Sequence, residues 1–253
     1  MHQFDQCNRQ CRNGRDDINT RKLAEKTKAQ VVFYGTDPKH CNVWAGNIRI
    51  ENLKTTFELN YGVERIQVTY PLLGEHQIYP ALAAAALGIV EGISLGRIKK
   101  GLENVAPAEH RLQSLTGPHD SIILDDTYNA APTAVEAAIM TLLRIPSRRK
   151  IVVLGEMREL GEYTEQMHQE IARLIYKEKI DIVILGQGDT RYIAEELESL
   201  GYWEDKLFAN LQNSQIVALL LKTLVKGDVC LIKGARAVRL DEVVKRITKK
   251  GLT

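Results

Sequence analysis

The stretch Ser121-Ile-Ile-Leu-Asp-Asp-Thr-Tyr-Asn-Ala-Ala-Pro-Thr133 holds the side chains best placed for chemistry. Ser121–Leu124 reads as a short buried strand, with Asp125 and Asp126 at its carboxyl end. Pro132 fits the first turn of a following helix, where a missing N–H costs nothing. Ligands of open parallel sheets bind outside the carboxyl ends of strands, so acids and amides there are expected to face a ligand. Capping a strand-to-helix turn is the other use of the same residue types. Three more predicted strand ends bring polar groups to this edge: Glu156, Arg158 and Glu159; Gln187 and Asp189; Lys233 and Arg236. Both charge signs on one rim suit a ligand carrying phosphates or carboxylates together with an amine, although a solvated sheet edge has the same composition.

Other chemistries are poorly served. Gly186-Gln-Gly188 stops short of a dinucleotide fingerprint, because Arg191 stands at the third glycine position and the segment follows the wrong strand. No G-x-x-x-x-G-K-[ST] phosphate loop occurs in the sequence. Cys7 and Cys11 have no nearby Cys or His pair to complete a tetrahedral metal site, so free thiols are the simpler reading. No nucleophile and base stand adjacent in sequence. His168 falls beside the apolar face of a helix, as a boundary residue. His76 precedes an Ala-rich helix, near the positive end where a phosphate or base contact is one option.

The elements that position these groups follow from periodicity. From Ser121 onward buried strand and amphipathic helix alternate: Ile122–Leu124 with a helix over 133–143, Lys150–Leu154 with one over 164–177, Asp181–Leu185 with one near 192–200, and Val229–Ile232 with a last helix. In the second helix Met167, Ile171, Leu174 and Ile175 form one apolar face, as Leu240, Val243, Val244 and Ile247 do in the last. A segment over 206–210 and a helix over 216–225 intervene. Apolar strands without alternation, separated by helices, define an α/β fold: a Rossmann-like, doubly wound, mostly parallel sheet covered on both faces.

The first hundred residues read differently. A short helix over 20–28 leads to a strand at Val31–Gly35, then period-2 strands at Thr55–Tyr61 and Ile66–Tyr70 turn at Gly62. Helices over 79–90 and 95–105 follow, and Pro107 ends the pattern. This is expected to be an edge of sheet with two helices, part of a larger α/β domain. The expected divisions are 1–13, unstructured or atypical; 14–108, the partial domain; and 109–253, the Rossmann-like domain.

Composition narrows the class. The net charge of +2 arises from 34 basic and 32 acidic residues, interspersed, so no stripe for nucleic acid stands out. The apolar run Ala81–Val90 is too short to span a bilayer and no signal peptide opens the sequence, so a cytoplasmic protein is expected.

Several segments together resemble the Mur ligases. They are Gly74-Glu-His-Gln-Ile-Tyr-Pro-Ala-Leu-Ala-Ala84, Ala108-Glu-His-Arg111-Leu112, Asp125-Asp-Thr-Tyr-Asn-Ala130, Leu154-Gly-Glu-Met-Arg-Glu-Leu-Gly161 and Lys233-Gly-Ala-Arg236, with Asp16-Asp-Ile-Asn-Thr-Arg21 upstream. The resemblance is greatest to the branch that joins D-alanyl-D-alanine to UDP-N-acetylmuramoyl-tripeptide. It implies an ATP- and Mg2+-dependent amide ligase of peptidoglycan precursor synthesis, working through an acyl phosphate, with an N-terminal UDP-binding domain, a central ATPase and a C-terminal Rossmann-like domain. On that basis His76, Gln77, Arg111, Asp126, Tyr128 and Asn129 belong to the ATP side, and Glu156, Lys233 and Arg236 to the dipeptide side. Gln77 and Pro80 stand where the family usually has Asn, Ala131 replaces a common Asn, and Ala235 a common Ser. The family's phosphate loop and metal ligands belong upstream of Gly14. The resemblance therefore implies no metal ligand and no catalytic residue in this chain, little turnover by it alone, and a separately encoded N-terminal half as one candidate partner. Two alternatives stay open: a non-catalytic nucleotide- or partner-binding remnant, and a related ligase of the folylpolyglutamate type. A closing motion of Asp126 and Arg111 over a triphosphate is the expectation on which the site reading depends.

Overall fold

The computed structural model describes residues 3–7 and 31–248. The chain divides into two units, Met1–Ala106 and Pro107–Thr253, the second beginning at the proline that ends the helical pattern.

The second unit is built on a six-stranded sheet in the order β10-β9-β8-β11-β7-β6. Its strands are β6 (Gln113–Thr116), β7 (Ile122–Asp126), β8 (Arg149–Leu154), β9 (Ile182–Gly186), β10 (Leu207–Leu211) and β11 (Asp228–Lys233). All pair in parallel except β6, which runs antiparallel to β7. The strands are apolar at successive positions because both faces are covered. On one face, Ile123, Ile151, Val153, Ile184, Cys230 and Ile232 pack against α6 (Asn213–Thr223) and α7 (Leu240–Ile247). On the other lie α3 (Pro132–Leu143), α4 (Thr164–Lys177) and α5 (Arg191–Ser199).

The predicted strands and helices are present with ends shifted by up to three residues. Two differences matter. The segment over 206–210 is itself the edge strand β10, and β6 was not anticipated, since its burial alternates and only one face is covered. Asp125 and Asp126 are the last two residues of β7 and lie inside the sheet, paired with Ile232 and Lys233 of β11. They do not stand beyond the strand end.

The first unit has a five-stranded sheet of its own, β1 (Gln3–Cys7), β2 (Val31–Gly35), β3 (Val43–Glu51), β4 (Lys54–Tyr61) and β5 (Glu64–Tyr70), in that spatial order. β1, β2 and β3 are parallel; β3, β4 and β5 form an antiparallel meander. Val43, Ala45, Phe57, Leu59, Val68 and Tyr70 line one face and bury α1 (Ile78–Val90) and α2 (Leu95–Glu103). The alanines of α1 let its backbone approach the sheet closely, so an almost wholly apolar helix finds a buried place. This is a full core, more than the sheet edge and two helices that periodicity suggests. β3 was missed because Gly46, Asn47 and Arg49 interrupt its apolar alternation. Gln3–Cys7 lies in the opening stretch expected to lack structure. Its polar sequence pairs along β2 through backbone groups, which a composition argument does not see. The predicted helix over 20–28, the Asp16–Arg21 segment and Cys11 lie outside the described residues.

Candidate functional site

The carboxyl ends of β7, β8 and β11 converge on a cleft of about 670 Å³, lined by Asn129, Ala130, Ala131, Arg158, Glu159, Leu160, Ala235, Arg236 and Ala237. It opens at the start of α3, whose Pro132 occupies the first turn as expected. Backbone bonds tie the contributing loops together. Gly155 N–H donates to Lys233 O (2.8 Å) and Ala235 N–H to Glu156 O (3.0 Å). A side chain on Gly234 would place its first carbon 3.1 Å from Gly155 Cα, so these two loops touch only because both residues are glycine.

Beneath the cleft lies an ion pair between Lys233, 2% exposed, and Asp126. Lys233 Nζ donates to Asp126 Oδ2 (2.5 Å) and to Asn129 O (2.9 Å). Asp126 Oδ1 accepts the Leu112 N–H (3.2 Å). The two residues that the sequence reading assigns to different ligands, Asp126 to the nucleotide side and Lys233 to the dipeptide side, are thus bonded to each other. Both carboxylate oxygens and the ammonium are taken up internally, because each charge is too costly to bury without the other. Together they form the floor that supports Asn129.

Glu156 also joins loops. Its Oε2 accepts the Asp189 N–H (3.3 Å) and its Oε1 lies 3.2 Å from Arg158 Nε. Gly188, with φ +92°, leaves room for that carboxylate; a Cβ there would sit 2.3 Å from Oε2. The glycine that resembled a dinucleotide motif thus has a packing reason. His168, expected at the border of the apolar face of its helix, is fully buried. Its Nδ1 donates to Thr164 O (2.7 Å) and its Nε2 accepts the Met157 N–H (3.1 Å), a pattern that requires the neutral ring and anchors the loop carrying Arg158 and Glu159. Arg158 and Arg236 themselves remain exposed, as does Asn129.

At the end of β7, Asp125 pins a second segment. Its Oδ2 is 2.8 Å from His110 Nδ1, and its Oδ1 accepts from Thr127 Oγ1 (2.7 Å) and Thr127 N–H (3.2 Å). The Tyr128 N–H donates to His110 O (3.2 Å). His110 and Leu112 both have left-handed backbones, φ 61° and 46°. For non-glycine residues that conformation costs roughly 1–2 kcal/mol each, offset here by the bonds to the two acids. Between them Arg111 projects outward, its guanidinium carbon 4.0 Å above the exposed Tyr128 ring. Sequence reasoning gave His110 no role, since its proximity to Asp125 is created only by the pairing of distant segments.

Asp241, in the first turn of α7, borders this region. Burial pushes its carboxyl up, but the Lys245 hydrogen bond (3.2 Å) and the charges of Lys245, Arg236 and His110 hold it below the usual carboxylate range. His76 and Gln77 belong to the first unit, in and beside the single turn Glu75–Gln77 that leads into α1, with their side-chain nitrogens 3.2 Å apart. Among the described residues no three His, Cys, Asp or Glu gather into a set that holds a metal ion. No described helix is long and apolar enough to cross a membrane.

A parallel-rich α/β sheet with a charged cleft at its carboxyl edge defines a domain of the doubly wound class. Residues 110–236 match the Mur ligase, glutamate ligase domain, and residues 6–88 match the Mur ligase middle domain. The chain belongs to the Mur ligase family. It is 34% identical over 231 residues to the UDP-N-acetylmuramoyl-tripeptide--D-alanyl-D-alanine ligase of Buchnera aphidicola, covering 90% of this chain and 48% of that protein. To the Escherichia coli enzyme of the same name it is 31% identical over 210 residues, covering 82% and 44%. Among solved structures, MurF from Acinetobacter baumannii superposes with a TM-score of 0.78 at 27% identity, over 96% of this chain and 51% of that one. MurF from Thermotoga maritima in complex with ADP has the same fold, with a TM-score of 0.78 at 24% identity over 94% and 52%. The chain spans about half the length of the curated relatives it matches.

Proposed function

We propose that this chain forms the closing half of an ATP-dependent amide ligase that adds D-alanyl-D-alanine to UDP-N-acetylmuramoyl-tripeptide in the cytoplasm. The reading draws support from the relatives, which carry that name, and from one observation above all. The cleft at the ends of β7, β8 and β11 is lined by two exposed arginines, Arg158 and Arg236, together with Asn129, Glu159 and the residues just ahead of α3. Such a site suits a small zwitterion: guanidiniums for its carboxylate, a carboxylate for its ammonium. ATP, with Mg2+, is the co-substrate that turns the tripeptide carboxyl into an acyl phosphate. The dipeptide amine then attacks the acyl carbon, the bond to the phosphate oxygen breaks, and inorganic phosphate leaves.

Within that scheme the residues of this chain bind and orient. Arg111 and Tyr128 fit the phosphate side, where an exposed, stacked guanidinium meets an anion with little reorganisation. His76 and Gln77 belong to the same reading as base- or phosphate-side contacts from the first unit. Asp126 and Lys233 act from beneath, by holding Asn129 at the cleft wall. Glu156 acts by bridging the loops of Arg158 and Asp189.

The test is binding of D-alanyl-D-alanine to a polypeptide of these 253 residues, followed by amide chemical shifts. Perturbations confined to 129–131, 158–160 and 235–237, weakened at least tenfold in Arg158→Ala and Arg236→Ala, are expected. Equal response to L-alanyl-L-alanine, or shifts elsewhere, would discard the dipeptide assignment.

A further inference from the structure

We propose that His110 is a positioning residue: through its bond to Asp125 it holds Arg111 out over Tyr128. The inference rests on the reading of Arg111 as a phosphate partner for its consequence, but not for its geometry. Arg111 is the middle residue of three. Its neighbours on both sides have left-handed backbones, and each is fastened to a different acid at the end of β7. The His110 imidazole meets Asp125, while the Leu112 N–H meets Asp126. The His110 carbonyl is fixed in addition by the Tyr128 N–H, so the ring beneath Arg111 is registered to the segment that carries it.

Neither His nor Leu favours this backbone region, and β-carbon strain opposes it. An ordinary connection would relax to negative φ and swing the intervening side chain through a large angle. The Asp125 side prevents that relaxation most directly, because its carboxylate is itself locked by the Thr127 hydroxyl and N–H. Asp125 is buried and His110 partly so, which protects the bond from competition by water. The Asp126 side is held by Lys233. The acidic pair therefore works inward, on the presentation of an arginine, and the ligand meets that arginine in place of the acids. Asn is the conservative replacement for His110, since it tolerates the left-handed region and its amide can donate to Asp125.

The experiment uses the 253-residue polypeptide and two readouts. The first is the Arg111 side-chain resonance, which the Tyr128 ring shifts upfield; Tyr128→Leu supplies the value without a ring. His110→Ala is expected to move the resonance to that reference, His110→Asn to leave it near wild type. His110→Gly, which adopts positive φ freely but has no imidazole, should also release Arg111 and covers the case in which His110→Ala does not fold. The second readout is affinity for sodium tripolyphosphate, expected to fall about tenfold in Arg111→Ala and in His110→Gly and to be kept in His110→Asn. An Arg111 resonance unchanged in His110→Gly overturns the proposal. A resonance that moves as expected while tripolyphosphate binding is absent or unaltered upholds the positioning role and removes the phosphate reading of Arg111.

Discussion

The two ends of the six-stranded sheet both carry charge, yet they use it differently. At the amino end, Arg149 at the start of β8 grips Asp228 at the start of β11: Nε to Oδ1 at 3.0 Å and a second guanidinium nitrogen to Oδ2 at 2.5 Å. The same guanidinium also donates to Thr223 O, and Asp228 accepts the Val225 N–H. The Asp228 hydrogen bond, with its charge and that of Asp181, raises the Arg149 pKa further, against the effect of burial. Asp181, just ahead of β9, accepts the Lys150 N–H at 2.7 Å. Arg149, Asp181 and Asp228 are thus satisfied within the fold. At the carboxyl end Asp125, Asp126 and Glu156 are equally engaged, but Arg158, Glu159 and Arg236 are exposed along a cleft, and Arg111 is exposed over Tyr128. The contrast teaches that a charged rim becomes a site when buried ion pairs are satisfied beneath it and side chains of both signs stay exposed at its mouth.

The comparison breaks most visibly at the floor. Lys233→Ala strands the Asp126 carboxylate in a buried position and should cost about 3–5 kcal/mol, read from urea unfolding. Adding Asp126→Asn should restore part of that loss, and strict additivity of the two changes would show that they do not interact. Asp228→Ala at the other end should cost somewhat less, about 2–3 kcal/mol, because the Arg149 side chain is 29% exposed and water can reach it. Dipeptide binding should survive there and fail at the floor.

Gly188→Ala forces a left-handed residue with a side chain onto Glu156, for about 1–3 kcal/mol in the same assay. The last prediction is the smallest. Asp241 has its folded pKa depressed, so its contribution is present above the unfolded value and is lost as pH falls through the folded one. Asp241→Asn should therefore lower stability at neutral pH by a few tenths of a kcal/mol, roughly, since Lys245 is largely exposed, and the gap from wild type should close at acid pH. A gap that widens on acidification would mean that the sign is wrong.

Much of this was legible in the sequence. Unbroken apolar runs such as Ile151–Leu154 and Ile182–Leu185 identify strands buried on both faces, and the four-residue spacing of Met167, Ile171 and Ile175 identifies α4. Pro132 marks the start of α3, and Pro107 the unit boundary. Strands with one exposed face were harder: β3 and β6 carry polar residues at alternate positions and resemble loops until a partner strand is known. The acids at the end of β7 were found, but their direction was not. Residue type and position say that a carboxylate lies near a strand end; they do not say whether it faces outward or back into the protein.

The sequence by itself determined the local order of strands and helices, and through its motifs the family, because periodicity and turn chemistry act between near neighbours along the chain. Tertiary structure alone decided that Asp126 meets Lys233, 107 residues away, and that His110 meets Asp125 across a connection closed by β6. Those pairings follow from strand order. Placing β11 between β7 and β8 brings Lys233 beneath Asn129, and burial then makes each charge dependent on the other.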